Sequence, residues 1–157
     1  MQGLSGARDT SIKLSIRVHS HLQFTDLFHV VLTQVAKQVP IPPERLDWVA
    51  LAMREAINNA VMHGNKKDPD KWIEVDMESA GREFIIRVWD EGTGFDQGAL
   101  TDPRCPENLF RPNGRGIFLI KQFSDRVSFP RKEDGRFGIE LVFDLDKNPK
   151  QEASNES

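Results

Sequence analysis

The sequence predicts an α+β fold: a two-layer sandwich in which helices cover one face of a mixed, mostly antiparallel sheet. Two observations carry that reading. Nearly every strand-like segment alternates apolar and polar residues, as a sheet with one solvated face does, whereas buried parallel strands read as continuous apolar runs. Three other segments repeat their apolar residues at three- and four-residue intervals, the helical spacing, and these helices must bury the sheet's single apolar face.

The elements follow in order. In residues 11–18, "SIKLSIRV", Ile12, Leu14, Ile16 and Val18 face one way and Ser11, Lys13, Ser15 and Arg17 the other, a half-buried strand. From about 21 to 38 the spacing becomes helical, with Leu27, Val30, Val31, Gln34, Val35 and Val39 on the expected stripe. "VPIPPE" stops that helix, and Pro43 suits the first turn of the next. The second helix runs from about 43 to 63 on Leu46, Val49, Ala50, Met53, Ala56, Ile57, Ala60 and Val61, with Gly64 and Asn65 expected to end it through a positive φ. Residues 71–79 and 83–90 alternate around Ala80-Gly81-Arg82 and form a hairpin. Residues 91–113 are rich in Gly and Pro without periodicity, a length that in a compact domain suits a functional lid or a disordered segment. An apolar helix, "GIFLIKQF", comes next, then "RVSFPR" and a strand over 136–145 with Phe137, Ile139, Leu141, Phe143 and Leu145 on one face.

A chain of 157 residues supports one core and rarely two, so residues 11–146 form one domain between frayed polar tails at 1–10 and 147–157. The net charge of −3 and a pI near 5.8 give no general reason to expect nucleic acid or an anionic membrane as partner. No apolar run approaches a membrane span or a signal peptide, so the chain reads as cytoplasmic. Its single Cys105 forms no internal disulfide and, beside Pro106 in a loop, reads as incidental.

The chemistry begins with "REAINNAVMHG", residues 54–64. Two adjacent Asn residues in a helix interior each cost roughly 0.5–0.7 kcal/mol against Ala, because the short amide competes for backbone hydrogen bonds. Glu55, Asn59 and His63 are spaced four apart and share one flank, which is either a solvated polar surface or a site. Asp90-Glu91-Gly92-Thr93-Gly94 ends the hairpin's second strand, and counting by twos puts Asp90 on the buried face with Phe84, Ile86 and Val88. A carboxylate there needs hydrogen-bond donors, and an adenine amino group would be one, although Asp and Gly are also ordinary turn formers. Asn113-Gly114-Arg115-Gly116 precedes the apolar helix, where exposed N–H groups and the dipole suit phosphate, or where a plain loop exits.

The order of these motifs, E-x-x-x-N on a helix, D-x-G-x-G ending a strand, a long lid and G-x-G opening a helix, resembles the GHKL ATP-binding superfamily over roughly residues 11–145. Within it, "EAINNAVMHGN", "VWDEGTGFD" and "PENLFRPNGRGIFLIKQFSDRV" are similar to the anti-sigma-factor serine-protein kinase family. That resemblance implies a Bergerat fold binding ATP and Mg²⁺, with Glu55 as catalytic base and Asn59 as metal ligand. It implies Asp90 as acceptor from adenine, and Gly92, Gly94, Gly114 and Gly116 lining the nucleotide. Arg115 is available for a γ-phosphate or a partner's acidic surface, and His63 for phosphate, lid or a helix-capping role; Asn58 has no assigned role, while Arg104, Arg111 and Lys121 read as solvated charges. The implied partners are a STAS-type antagonist, phosphorylated on serine, and a sigma factor or other regulator that the kinase binds, with a homodimer expected. The alternatives are a nucleotide-binding regulatory module without kinase activity and the ATP-binding part of a histidine kinase. The latter needs an upstream phosphoacceptor helix that residues 1–40, despite His19, His21 and His29, do not display.

Overall fold

A computed structural model describes residues 11–92 and 112–147, with the side chains of 112–115 outside that description. Its elements are β1 (Lys13–His19), α1 (Phe24–Val35), α2 (Pro43–Asn59), a π-helical turn (Ala60–Gly64), β2 (Trp72–Ala80), β3 (Glu83–Asp90), α3 (Pro112–Phe123), β4 (Arg126–Ser128) and β5 (Phe137–Asp144). The described strands form one sheet in the order β1-β2-β3-β5-β4, and every pairing in it is antiparallel. Pro43 occupies the first turn of α2, as its fixed φ suits. The β2–β3 hairpin closes at Ala80 opposite Glu83, with Gly81 in the left-handed region at φ +61°.

The helices cover one face. Ile73, Val75 and Met77 of β2, Phe84, Ile86 and Val88 of β3, and Ile139, Leu141 and Phe143 of β5 meet Phe28, Leu32, Val49, Met53, Ile57 and Ile120 in one core. Removing a side chain of this size from water stabilises by roughly 1.5–3 kcal/mol each. The expected stripe on α1 is displaced: Thr25, Phe28, Leu32 and Val35 are buried, whereas Leu27 and Val30 are 43% and 56% exposed. Both rows obey helical spacing, and the row carrying the large Phe28 ring takes the core.

The opposite face is not wholly solvated either. Ile85, Trp89 and Val142 are buried there, beneath a layer of ion pairs in which Arg87 bridges Glu78 and Glu140 and Glu74 meets Arg17, Lys132 and Arg136. Nζ of Lys132 lies 4.6 Å from the centre of the Trp89 ring, and Nε1 of Trp89 donates to Asp76 at 2.9 Å. At the base of the helical layer, buried Arg45 on α2 pairs with Asp125 at 2.9 Å and donates to the Asp144 carbonyl, tying α2 to the end of β5.

Candidate functional site

Glu55 and Asn59 stand one turn apart near the C-terminal end of α2, Asn59 only 7% exposed and Glu55 half-buried. The Nδ2 atom of Asn59 is buried with no hydrogen-bond partner among the described residues. An amide left unpaired in the interior costs free energy, so this position points toward a ligand. α3 crosses here: a Cβ built on Gly116 would lie 3.1 Å from Asn59 Oδ1 and 3.3 Å from Glu55 Oε2. A methyl group at that position would oblige both side chains to give by a few tenths of an ångström. α3 begins at Pro112, so Gly114, Arg115 and Gly116 lie in its first turns rather than before it; the side chains of the first two are outside the described set.

After Asn59 the helix widens. The Asn65 N–H bonds the Ala60 carbonyl five residues back, at 2.8 Å. His63 lies within this widened turn and is half-buried. Burial and the nearby charge of Lys67 hold the His63 imidazole below its usual range. That shift favours the neutral ring, whose N–H can still donate to a phosphate or to a helix-end carbonyl. Nor does Gly64 end the helix through positive φ; that conformation falls on Lys66 and Lys67, at φ 52° and 61°.

Gly64 serves close approach instead. A Cβ on it would sit 2.3 Å from Asp90 Oδ2, and one on Gly92 would sit 2.1 Å from the Gly64 carbonyl oxygen. Asn65, fully buried, fixes this junction: Nδ2 donates to the Trp72 carbonyl at 3.0 Å while Oδ1 accepts from the Glu91 N–H at 2.9 Å. Glu91 in turn accepts from the Trp72 N–H at 2.7 Å. Nothing in the sequence marks Asn65 as more than a helix terminator, yet it binds the end of α2 to both flanking strands.

Asp90 is 4% exposed on the helix-covered face, and Oδ1 accepts from the Gly92 N–H at 2.7 Å. Burial pushes its carboxyl up to about 6, against the Gly92 N–H and the charge of Lys71, which both favour the ionised form. The result is an acceptor with capacity for one more donor. From Glu55 to Gly64 is nine residues, roughly 13 Å along a helix axis, comparable to an extended adenine nucleotide. Gly94, Arg104, Cys105 and Arg111, with the rest of 93–111, lie outside the described residues, as do both expected tails apart from Lys147.

Comparison with known families matches residues 23–142 to the histidine kinase-like ATPase domain. The chain belongs to that family. Among relatives of this histidine kinase-like ATPase domain, "Serine-protein kinase RsbW" of Listeria innocua serovar 6a is 26% identical over 149 residues, covering 91% of this chain and 92% of the relative. "Anti-sigma F factor" of Anoxybacillus flavithermus is 24% identical over 143 residues, covering 85% and 97%. The solved RsbU and RsbW domains of Rv1364c from Mycobacterium tuberculosis superpose with a TM-score of 0.61 at 16% identity, a likeness of fold. The match takes in 85% of this chain and 32% of that longer one.

A nucleotide and its metal fit the residues present. The unpaired Asn59 Nδ2–H would donate to a phosphate oxygen or to a metal-bound water, and its Oδ1, an oxygen beside the Glu55 carboxylate at the Gly116 crossing, suits a divalent cation. Among the described residues no group of three or more His, Cys, Asp and Glu side chains forms a metal cage. A magnesium ion at Asn59 would draw its remaining ligands from phosphate and water, as that ion commonly does. The described helices include none long and apolar enough to cross a membrane.

Proposed function

We propose that the chain is an ATP-dependent protein-serine kinase of a partner-switching system. It binds and inhibits a sigma factor or related regulator and phosphorylates a STAS-type antagonist, acting in the cytoplasm as a homodimer. The observation that supports this most is the packing of Gly116 over both Glu55 and Asn59, which sets a carboxylate beside an amide suited to a metal. The names of the serine-protein kinase and anti-sigma relatives point the same way.

Each residue then has a task. Asn59 offers its amide oxygen to Mg²⁺, which neutralises phosphate charge when bound. Glu55 takes the proton of the attacking serine hydroxyl as its oxygen bonds the γ-phosphorus and the bond to the β–γ bridging oxygen breaks, releasing ADP. Asp90 accepts from the adenine amino group, and Gly92, Gly94, Gly114 and Gly116 admit the nucleotide. Arg115 and His63 are the residues assigned to its phosphates.

The test incubates purified protein, Mg-ATP and a STAS-type antagonist and assays phosphoserine. Wild type transfers phosphate, and Glu55→Gln loses transfer while retaining nucleotide. Undiminished transfer by Glu55→Gln removes the base. Nucleotide binding without transfer to any serine leaves the regulatory-module reading in its place.

A further inference from the structure

Far from Asn59, the first turns of α2 and the last turn of α3 part around a cleft of about 230 Å³. Arg45, Trp48, Lys121, Phe123, Ser124 and Lys147 line it. One wall is aromatic: Trp48, 38% exposed, lies with its ring centre 5.3 Å from that of Phe123. Ser124, also in the lining, is 9% exposed, and its buried Oγ has no partner among the described residues. Among the described lining residues, Arg45, Lys121 and Lys147 outnumber the one acidic side chain, Asp125, which is bonded to Arg45 at 2.9 Å and to Lys147 at 3.4 Å. In a chain of net charge −3 this is a local excess of positive charge.

An acid flanked by an apolar side chain satisfies all three features. Its carboxylate meets the Ser124 hydroxyl and the cations, and the apolar group covers the exposed indole. A bare phosphate would use the charge and leave the aromatic wall wet. Trp48, Leu51 and Glu55 follow one another at helical spacing along α2, and Leu51 is also exposed. The cleft therefore lies about two turns, roughly 10 Å, from Glu55 along the same face.

We propose that the Trp48–Ser124 cleft docks an acidic, apolar-flanked segment of the protein substrate, holding it so that the phosphoacceptor serine reaches Glu55. The link to Glu55 rests on the kinase reading above; the cleft's chemistry does not. Docking of this kind converts the reactive encounter into an intramolecular one and acts on substrate affinity rather than on the chemical step.

The probe is a blocked peptide, Leu-Asp-Glu-Phe, against its neutral counterpart Leu-Asn-Gln-Phe, titrated into the full chain while the Trp48 indole N–H signal is followed by NMR. The acidic peptide should shift that signal and bind about tenfold more tightly than the neutral one, with the difference shrinking as salt rises. Lys121→Glu, at an exposed position, should abolish the preference, and Ser124→Ala should weaken binding without lowering the melting temperature. Equal binding of the two peptides, or unchanged affinity in both variants, overturns the site. Titration with an ATP analogue on the same samples separates the two readings. Selective peptide binding without serine phosphorylation keeps the cleft and removes the kinase assignment. Phosphorylation without any Trp48 response removes the cleft alone.

Discussion

Gly64 presses its α-carbon against Asp90 so closely that a methyl group there would sit 2.3 Å from Oδ2 and 2.7 Å from Oδ1. Gly64→Ala must therefore move a carboxylate that is itself held by the Gly92 N–H. Overpacking of this kind costs about 1–3 kcal/mol, more than the helix-propensity gain of about 1 kcal/mol returns. The variant should show a lowered urea midpoint at unchanged m-value, together with weakened binding of an ATP analogue. A variant as stable as wild type with intact nucleotide affinity would show that Asp90 is not fixed in place by this contact.

Asp90 gives a pH prediction with a definite sign. Its folded-state pKa is raised from 3.8 to about 6, so between those values the folded chain holds a proton that the unfolded chain has released. The proton's stabilising effect is fully present below about 3.8 and is lost as pH rises to about 6. At pH 7 the ionised carboxylate thus costs stability, up to about 3 kcal/mol for a shift near two units. Asp90→Asn should accordingly melt higher than wild type at pH 7, with the gap closing toward pH 4. Adenine binding runs the other way, because its amino group needs the ionised acceptor: affinity for an ATP analogue should fall as pH drops below about 6 and be poor in Asp90→Asn at every pH. Calorimetric titration across pH 5–8 checks both arms.

The sheet was legible because its period is two. Ile12 through Val18 can present a single apolar face in only one way, and on β3, although Ile85 and Trp89 are buried on the other face, the parity of Phe84, Ile86 and Val88 carries Asp90 inward with them. Helical faces are less strongly determined. On α1 the rows through Leu27 and through Phe28 both satisfy the spacing, and only the packed core distinguishes them. Close approach is harder still to read, since Gly64 as a helix terminator and Gly64 as a neighbour of Asp90 look identical in the chain. Asn65 shows the same limit: both of its hydrogen-bond partners, at Trp72 and Glu91, come from sheet segments that only the fold brings beside it.

Gly116 separates stability from activity. A Cβ there would sit 3.1 Å to 3.3 Å from Asn59 and Glu55, tight contacts that a shift of a few tenths of an ångström relieves. Ala replaces Gly in a helix with a gain of about 0.8–1.0 kcal/mol, so Gly116→Ala should melt at or above the wild-type temperature. Displacing the base and the metal ligand by that small amount should still lower kcat by about tenfold, given the sensitivity of reacting geometry. A stabilised variant with full phosphotransfer would place the reacting atoms away from this crossing.

Asn59 returns to the pair of asparagines that α2 tolerates. Its Nδ2 is buried without a partner among the described residues, and its side chain is not part of the apolar core around Ile57. Asn59→Ala removes an unsatisfied donor and improves helix propensity by about 0.6 kcal/mol, so the ligand-free chain should melt no lower than wild type. Ile57→Ala, two positions away and fully buried, supplies the contrast, with an expected loss of about 2–5 kcal/mol. The two variants should then exchange rank when an ATP analogue is titrated in magnesium: Ile57→Ala binds wherever it is folded, whereas Asn59→Ala loses the magnesium-dependent part of its affinity. Loss of stability in Asn59→Ala with magnesium dependence preserved would make the residue a packing element, and the polar flank of α2 would then need a reason other than a metal.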